Sequence, residues 1–274
     1  MTVARRHIPL EGGSNMRDIG GYAGADGRTV RWGTIYRSGA ISRLTAADWE
    51  WIDRRGIATV CDLRAREERD LAPTRWQGRS DVRRADHAYD ANLLFGAERS
   101  TLAGVNEMET SLYLVFARLL APSFRLFFGA LLEGHVPLIV HCAAGQDRTG
   151  LAIGLLLTAL GVAREDIIAD YRLSPSLRRP ENELDRTGLE ELAHTNPVAR
   201  FYVAMVKRRG PDVFTPRELV NARGEPLLDD AFAAIRGEWG SIEAYLEEVL
   251  GVGPTEIERL RALLLEDAGT MAGA

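Results

Sequence analysis

His141-Cys142-Ala143-Ala144-Gly145-Gln146-Asp147-Arg148-Thr149-Gly150 lies between two apolar segments of different period. The segment before it, 136–141, is short and continuously apolar, as expected of a parallel strand buried on both faces. The segment after it predicts a helix over 149–160, closed by Gly161. A cysteine thus stands at the end of a buried strand, and five residues separate it from an arginine where a helix begins. Backbone N–H groups of such a strand-to-helix loop converge and bind an anion. The helix dipole adds to that field. A cysteine placed there is pushed toward its thiolate, the nucleophilic form. A free thiol is only a few per cent thiolate at neutral pH, and lowering its pKa by about three units is a bias of roughly 4 kcal/mol. Arg148 offers a planar fork that grips two oxygens of a phosphoryl group. Gly145 permits close approach of the loop backbone to a ligand.

Outward from this stretch, strands and helices alternate. A strand is predicted at 34–37. Thr45 caps the next helix with Asp48 three residues on, and Trp49 and Ile52 share its apolar face. A β-branched strand follows at 57–63 and a more polar one at 82–88. The residues 91–109 read as a long loop without periodicity, a length often found in active-site lids. A helix over 122–132 carries Phe124, Phe127, Phe128 and Leu131 on one stripe. From 164 onward the chain reads as helical, with Ser241 capping one helix, Gly251 ending it, and Thr255 and Glu258 forming a capping box for the last. The pattern predicts an α/β fold, a central mostly parallel sheet flanked by helices with a helical C-terminal part. No Pro/Gly/Ser-rich linker divides it, so residues 1–274 read as one domain.

Composition narrows the function classes. The 274 residues are 46% hydrophobic and 27% charged, which supports a real core. Lys+Arg 34 against Asp+Glu 39 gives a net charge of −5, which argues against a nucleic-acid partner. Residues 151–162 are the most apolar stretch and fall well short of the ~20 needed to span a membrane. No secretory leader is recognisable at the N-terminus. The cytoplasm is the default compartment, with signal-less secretion left open. Two cysteines, Cys61 and Cys142, cannot staple a chain this long. No His/Asp cluster has metal-ligand spacing, so neither a metal nor another cofactor is expected.

The segment His-Cys-x5-Arg-Thr-Gly resembles the phosphate-binding signature of the cysteine-dependent protein tyrosine phosphatases. With Ala144, Gly145 and Asp147 it is similar to the bacterial group of mycobacterial tyrosine phosphatase B and its dual-specificity relatives. Four more segments match that group in order: Asn15-Met16-Arg17-Asp18-Ile19-Gly20-Gly21-Tyr22, Cys61-Asp62-Leu63-Arg64 with Glu67, Asp170-Tyr171 through Ser174, and Trp239-Gly240-Ser241 through Tyr245-Leu246. The resemblance implies hydrolysis of phosphotyrosine, with phosphoserine and phosphothreonine as the further substrates of a dual-specificity enzyme, through a phosphocysteine intermediate, with a phosphorylated protein as substrate and inorganic phosphate as product. It implies that Cys142 attacks phosphorus and Arg148 binds the phosphoryl oxygens. The backbone of Ala143, Ala144, Gly145, Gln146 and Asp147 would hold the phosphate. His141 would orient the loop and lower the thiol pKa, and the Thr149 hydroxyl would help the thiolate leave.

A leaving phenolate needs a proton and the attacking water a base. The resemblance places that acid at Asp90, with Asp86 four residues earlier as a competitor. It also implies a contribution from Asp147, as an acid or by holding Arg148 and the loop. Arg64 follows a strand whose C-terminal end should open on the same face as the loop, so Asp62, Arg64 and Glu67 read as supports, as do Arg17 and Asp18. Cys61 reads as a small buried hydrophobe, or as a thiol that traps an oxidised Cys142. Where the group usually has lysine, this chain has Gln146, which shifts the reading from phosphoinositides toward phosphotyrosine. Arg172, Arg178 and Arg179 read as a solvated basic run or a recruiter of acidic substrates. The 90–109 segment predicts a smaller lid than the group's two-helix cover. The alternatives are a phosphoinositide or inositol phosphate phosphatase with the same loop, a rhodanese-like sulfur transferase, and a non-catalytic phosphate-binding module. The Arg-Thr-Gly exit disfavours the transferase, and the presence of both Cys142 and Arg148 disfavours the module.

Overall fold

The structure is a computed structural model that describes residues 6–76, 79–95 and 108–268. A five-stranded sheet of order β1-β3-β6-β4-β5 forms its centre. The strands are β1 (Arg17–Asp18), β3 (Ile35–Ser38), β6 (Leu138–His141), β4 (Thr59–Asp62) and β5 (Arg83–Asp86). β3, β6, β4 and β5 run parallel, and β1 alone pairs antiparallel. A second, two-stranded sheet pairs β2 (Thr29–Val30) with β7 (Leu265–Glu266), which ties the C-terminal segment to the N-terminal part and was not foreseen.

Side-chain alternation explains the layers. Ile35, Cys61, Leu138 and Val140 point to one face, into a cluster with Phe124, Phe127, Phe128 and the helix Asp147–Ala159. Tyr36, Val60 and Ile139 point to the other, toward Trp49 and Ile52 of the helix Ala46–Arg54. β6 is buried along its whole length, which is why its sequence is continuously apolar. β5 is the edge, and of its four residues only Ala85 is buried; its charged side chains suit an edge.

Most expected elements appear with shifted ends. Thr45 and Asp48 form the anticipated capping box, and the Asp48 carboxylate also accepts the N–H groups of Glu11 and Gly12 at 2.8 and 2.7 Å. The Ser241 hydroxyl caps Ile242–Glu248. The last helix begins earlier than predicted: Pro254 occupies its first turn and Glu256, not Glu258, reaches back to the Gly253 N–H at 3.1 Å. Proline presets the first turn of a helix, and it displaces Thr255 from the cap. The 91–109 segment opens as a helical turn, Asn92–Phe95, and a helix starts at Met108. Residues 96–107, on which the lid expectation rests, lie outside the described residues.

Candidate active site

All three strand ends that matter open on one side. Parallel pairing sets Ser38 beside His141 and His141 beside Asp62. The chain leaves β6 at Cys142 and enters the helix Asp147–Ala159. Cys142 is 2% exposed.

The loop between them is held by its carbonyls. Ala143 O accepts the Ala40 N–H at 2.8 Å. Asn15 Nδ2 donates to Ala144 O and Gly145 O at 3.0 and 2.9 Å. Arg37 Nη2 donates to Gly145 O at 2.9 Å. Among the described residues no backbone acceptor takes the N–H groups of residues 143–146.

Gly145 has φ +67°, and a Cβ there would lie 2.5 Å from the Gly39 nitrogen and the Ser38 backbone. Glycine is therefore required by packing against the end of β3, a reason the sequence reading did not see. Asn15 also has positive φ, 58°, a conformation asparagine tolerates better than most residues, and this aims its amide at the loop.

Beneath the loop lies a buried ionic group. Asp170 accepts from Arg17 Nε at 3.0 Å and from Arg37 Nη1 at 2.5 Å. Arg17 also donates to the Asn15 side chain and, at 3.1 Å, to Ser174 Oγ. Burial and the neighbouring Arg37 push Arg17 down to about 10. Burial works against the charge of Asp170, yet Arg17 and Arg37 hold its carboxyl well below the usual range. Two of the sequence segments that match in order thus meet at one anchor, and Asn15 and Arg37 link it to a third, the loop. Arg37 was missed because it reads only as part of a strand. Asp18 does not join the anchor: its carboxylate takes the N–H groups of Gly20 and Gly33 at 2.8 and 2.7 Å, bracing the turns beside β1.

Arg148 is 7% exposed. Its Nη2 lies 2.7 Å from Glu68 Oε1, and its Nη1 donates to Tyr89 Oη at 2.9 Å. Burial opposes its charge, but Glu68 raises it well above the ordinary arginine value. Glu68 was not singled out in the sequence; Glu67, read there as a support, accepts the Ala91 N–H at 2.8 Å. Arg64 pairs with Asp62 at 2.7 Å. Burial disfavours ionisation of Asp62, but His141, Arg64 and Arg69 hold it well below the usual carboxylate range. Burial drives His141 down to about 4 against the pull of Asp62. Its Nδ1 lies 3.3 Å from Cys142 O and its Nε2 3.7 Å from Asp62 Oδ2. The ring therefore braces the Cys142 backbone. The Thr149 hydroxyl is buried in the helix's first turn without a hydrogen-bond partner among the described residues.

The carboxylates separate clearly. Asp147 does not hold Arg148; it accepts a hydrogen bond from Tyr113, whose hydroxyl also meets Tyr171. Burial and Asp147 raise Tyr113 well above the usual phenol range. Asp90 is exposed and its Oδ1 accepts the Asn92 N–H at 2.7 Å. Asp86 pairs with Arg69.

Above the loop is a cavity of about 760 Å³ whose lining includes Ala143, Ala144, Gln146, Asp147 and Arg64 but not Asp90. Its far wall is the helix Pro197–Arg209 and the turn Pro211–Phe214. Phe95, Phe201, Tyr202 and Phe214 form a run of ring contacts along that wall, with centroids 4.9, 5.6 and 5.5 Å apart. Sequence reading did not assign this helix to the site. Arg178 is no free solvated cation: its Nη1 lies 2.7 Å from Gln146 Oε1, and Glu183 pairs with its Nε at 2.8 Å. Gln146 is thus tied to an arginine whose charge Glu183 already balances.

Cys61 and Cys142 are both free thiols. Cys61 sits opposite Val140, and the Leu63 N–H to His141 O bond of 2.8 Å continues the ladder, which leaves the two cysteines two residues out of register. At about 3.3 Å per residue and 4.8 Å between strands their Cα atoms are roughly 8 Å apart, beyond the ~7 Å limit for a bridge. Burial pushes the Cys61 thiol up, far from reactivity. The register favours the hydrophobe reading of Cys61.

A thiol at the end of a central parallel strand, a following loop with its carbonyls tied back and a clamped arginine closing that loop define a cysteine-dependent phosphatase. The chain belongs to the tyrosine phosphatase family, whose model matches residues 8–266. It is similar to a protein of Cupriavidus necator that carries a tyrosine-protein phosphatase name, at 33% identity over 93% of this chain and 89% of that one. It is also similar to the triple specificity protein phosphatase PtpB of Mycobacterium tuberculosis, at 30% identity over 96% of this chain and 100% of that one. A tyrosine-protein phosphatase of Nostoc commune is 27% identical over 83% of this chain and 73% of its own length. No helix among the described residues is long and apolar enough to cross a membrane.

Proposed function

We propose that residues 1–274 form one catalytic domain that hydrolyses phosphotyrosine in proteins through a phosphocysteine intermediate. The observation that carries this reading is the loop with its carbonyls tied back to Asn15, Arg37 and Ala40 and its N–H groups left for an anion over Cys142. The Cys142 thiolate attacks phosphorus as the P–O bond to the phenol breaks. Arg148, fixed by Glu68, binds two phosphoryl oxygens. Asp90 protonates the leaving phenolate. Water then displaces the thiolate, giving its proton to Asp147 and releasing inorganic phosphate, while the unpartnered Thr149 hydroxyl stabilises the departing sulfur. Both carboxyl groups reset by exchange with solvent. Phosphoserine and phosphothreonine would react more slowly, since alkoxides leave less readily than phenolates. Because the nucleophile must remain a thiolate, a reducing compartment is part of the proposal.

The test is phosphate release from an aryl phosphate and from phosphotyrosine peptides without added metal. Cys142→Ser should lose turnover while still binding phosphate. Unimpaired turnover by that variant would refute the mechanism.

A further inference from the structure

We propose that the cavity selects phosphotyrosine flanked by acidic residues, and that Arg208, Arg209 and Arg217 read those flanks. The proposal rests on the phosphotyrosine reading above. Five arginines line the cavity, and they fall into two kinds. Arg64 and Arg178 are each neutralised by a carboxylate, Asp62 and Glu183. Arg208, Arg209 and Arg217 are exposed, and no hydrogen bond or ion pair holds them among the described residues. Arg208 and Arg209 close the helix Pro197–Arg209, where cations complement the helix dipole. That does not explain Arg217, which lies beyond the next turn and still meets the same cavity.

The rings of Phe201, Tyr202 and Phe214 line the same cavity as these cations and the loop. An aromatic wall suits a phenyl ring, and about 760 Å³ is within the range that encloses a drug-sized ligand. The free arginines are then left for groups next to the phosphotyrosine, and carboxylates are their complement. A peptide is favoured over a lipid surface because the exposed large apolar side chains, Leu126, Leu192 and Leu263, do not line the cavity. The chain as a whole carries −5, so attraction of an acidic substrate must come from this local group.

The experiment compares kcat/KM for phosphotyrosine peptides with Asp/Glu flanks against matched Asn/Gln flanks. Hydrolysis of a small aryl phosphate and of phosphatidylinositol phosphate vesicles is measured in parallel. The native chain should prefer acidic flanks by about tenfold at low salt, the order expected of three exposed charge pairs, and the preference should shrink at 0.5 M salt. The ratio should fall near one in Arg208→Gln/Arg209→Gln/Arg217→Gln and invert toward basic flanks in the corresponding Glu variant. Equal rates on acidic and neutral peptides, or a preference that survives the triple substitution, would overturn the inference. So would a triple variant that loses only vesicle activity, since the arginines would then serve a lipid headgroup. Failure of the native chain to hydrolyse either aryl phosphate or phosphotyrosine peptide would instead refute the underlying activity.

Discussion

Glu68 and Arg148 are joined across the interior, with Arg148 Nη2 2.7 Å from Glu68 Oε1 while Oε2 of the same carboxylate accepts the Ala65 N–H at 2.8 Å. One side chain thus starts the helix Arg66–Leu71 and holds the Arg148 guanidinium. Glu68→Gln should lower kcat/KM by about 10–100-fold, the scale of a small misplacement of a reacting group. It should also destabilise by about 3 kcal/mol, because a buried guanidinium loses its counter-charge. Steady-state kinetics and urea unfolding check the two parts, and native kinetics in the variant would remove Glu68 from the site.

Asp170 neutralises two buried arginines at once. Asp170→Asn should cost about 3–5 kcal/mol, as breaking a buried pair does, and should weaken phosphate binding because Arg37 also holds Gly145. A loss below about 1 kcal/mol in urea unfolding would contradict the neutralising role.

Asp90 and Asp147 should separate by leaving group. Asp90→Asn should slow phenyl phosphate far more than nitrophenyl phosphate, because only the poorer leaving group needs the proton. Asp147→Asn should slow both alike. If the dependence appears instead in Asp147→Asn, the acid is the carboxylate that lines the cavity.

His141 is held at about 4 by burial, below its ordinary 6.5. The fold therefore favours the neutral ring. Its stabilising contribution is complete above pH 6.5 and is lost as pH falls toward 4, when the unfolded chain takes up a proton that the folded one refuses. The slope is up to about 1.4 kcal/mol per pH unit. Unfolding free energies at pH 7, 6, 5 and 4.5 should fall more steeply for the native chain than for His141→Asn. Parallel curves would show that His141 does not titrate as described.

Local chemistry was legible in the sequence, and the through-space partners were not. The thiol, the loop and the arginine occupy one stretch whose strand and helix flanks declare themselves by period. Glu68 lies 80 residues from Arg148, and choosing between it and Glu67 requires the phase of a six-residue helix. Arg37 reads as strand, since nothing nearby says that its tip reaches Asp170 and Gly145. The helix Pro197–Arg209 has the amphipathic pattern of any surface helix, and only packing makes it a cavity wall. That Gln146 accepts from Arg178, 32 residues on, and that Glu183 balances this arginine, is likewise visible only through space.

The two-residue offset between Cys61 and Cys142 bears on how the enzyme survives oxidants. A sulfenic acid on Cys142 has no protein thiol within bridging distance to condense with. Recovery then falls to small diffusible thiols reaching the cavity, and the lifetime of activity under peroxide follows the supply of external reductant.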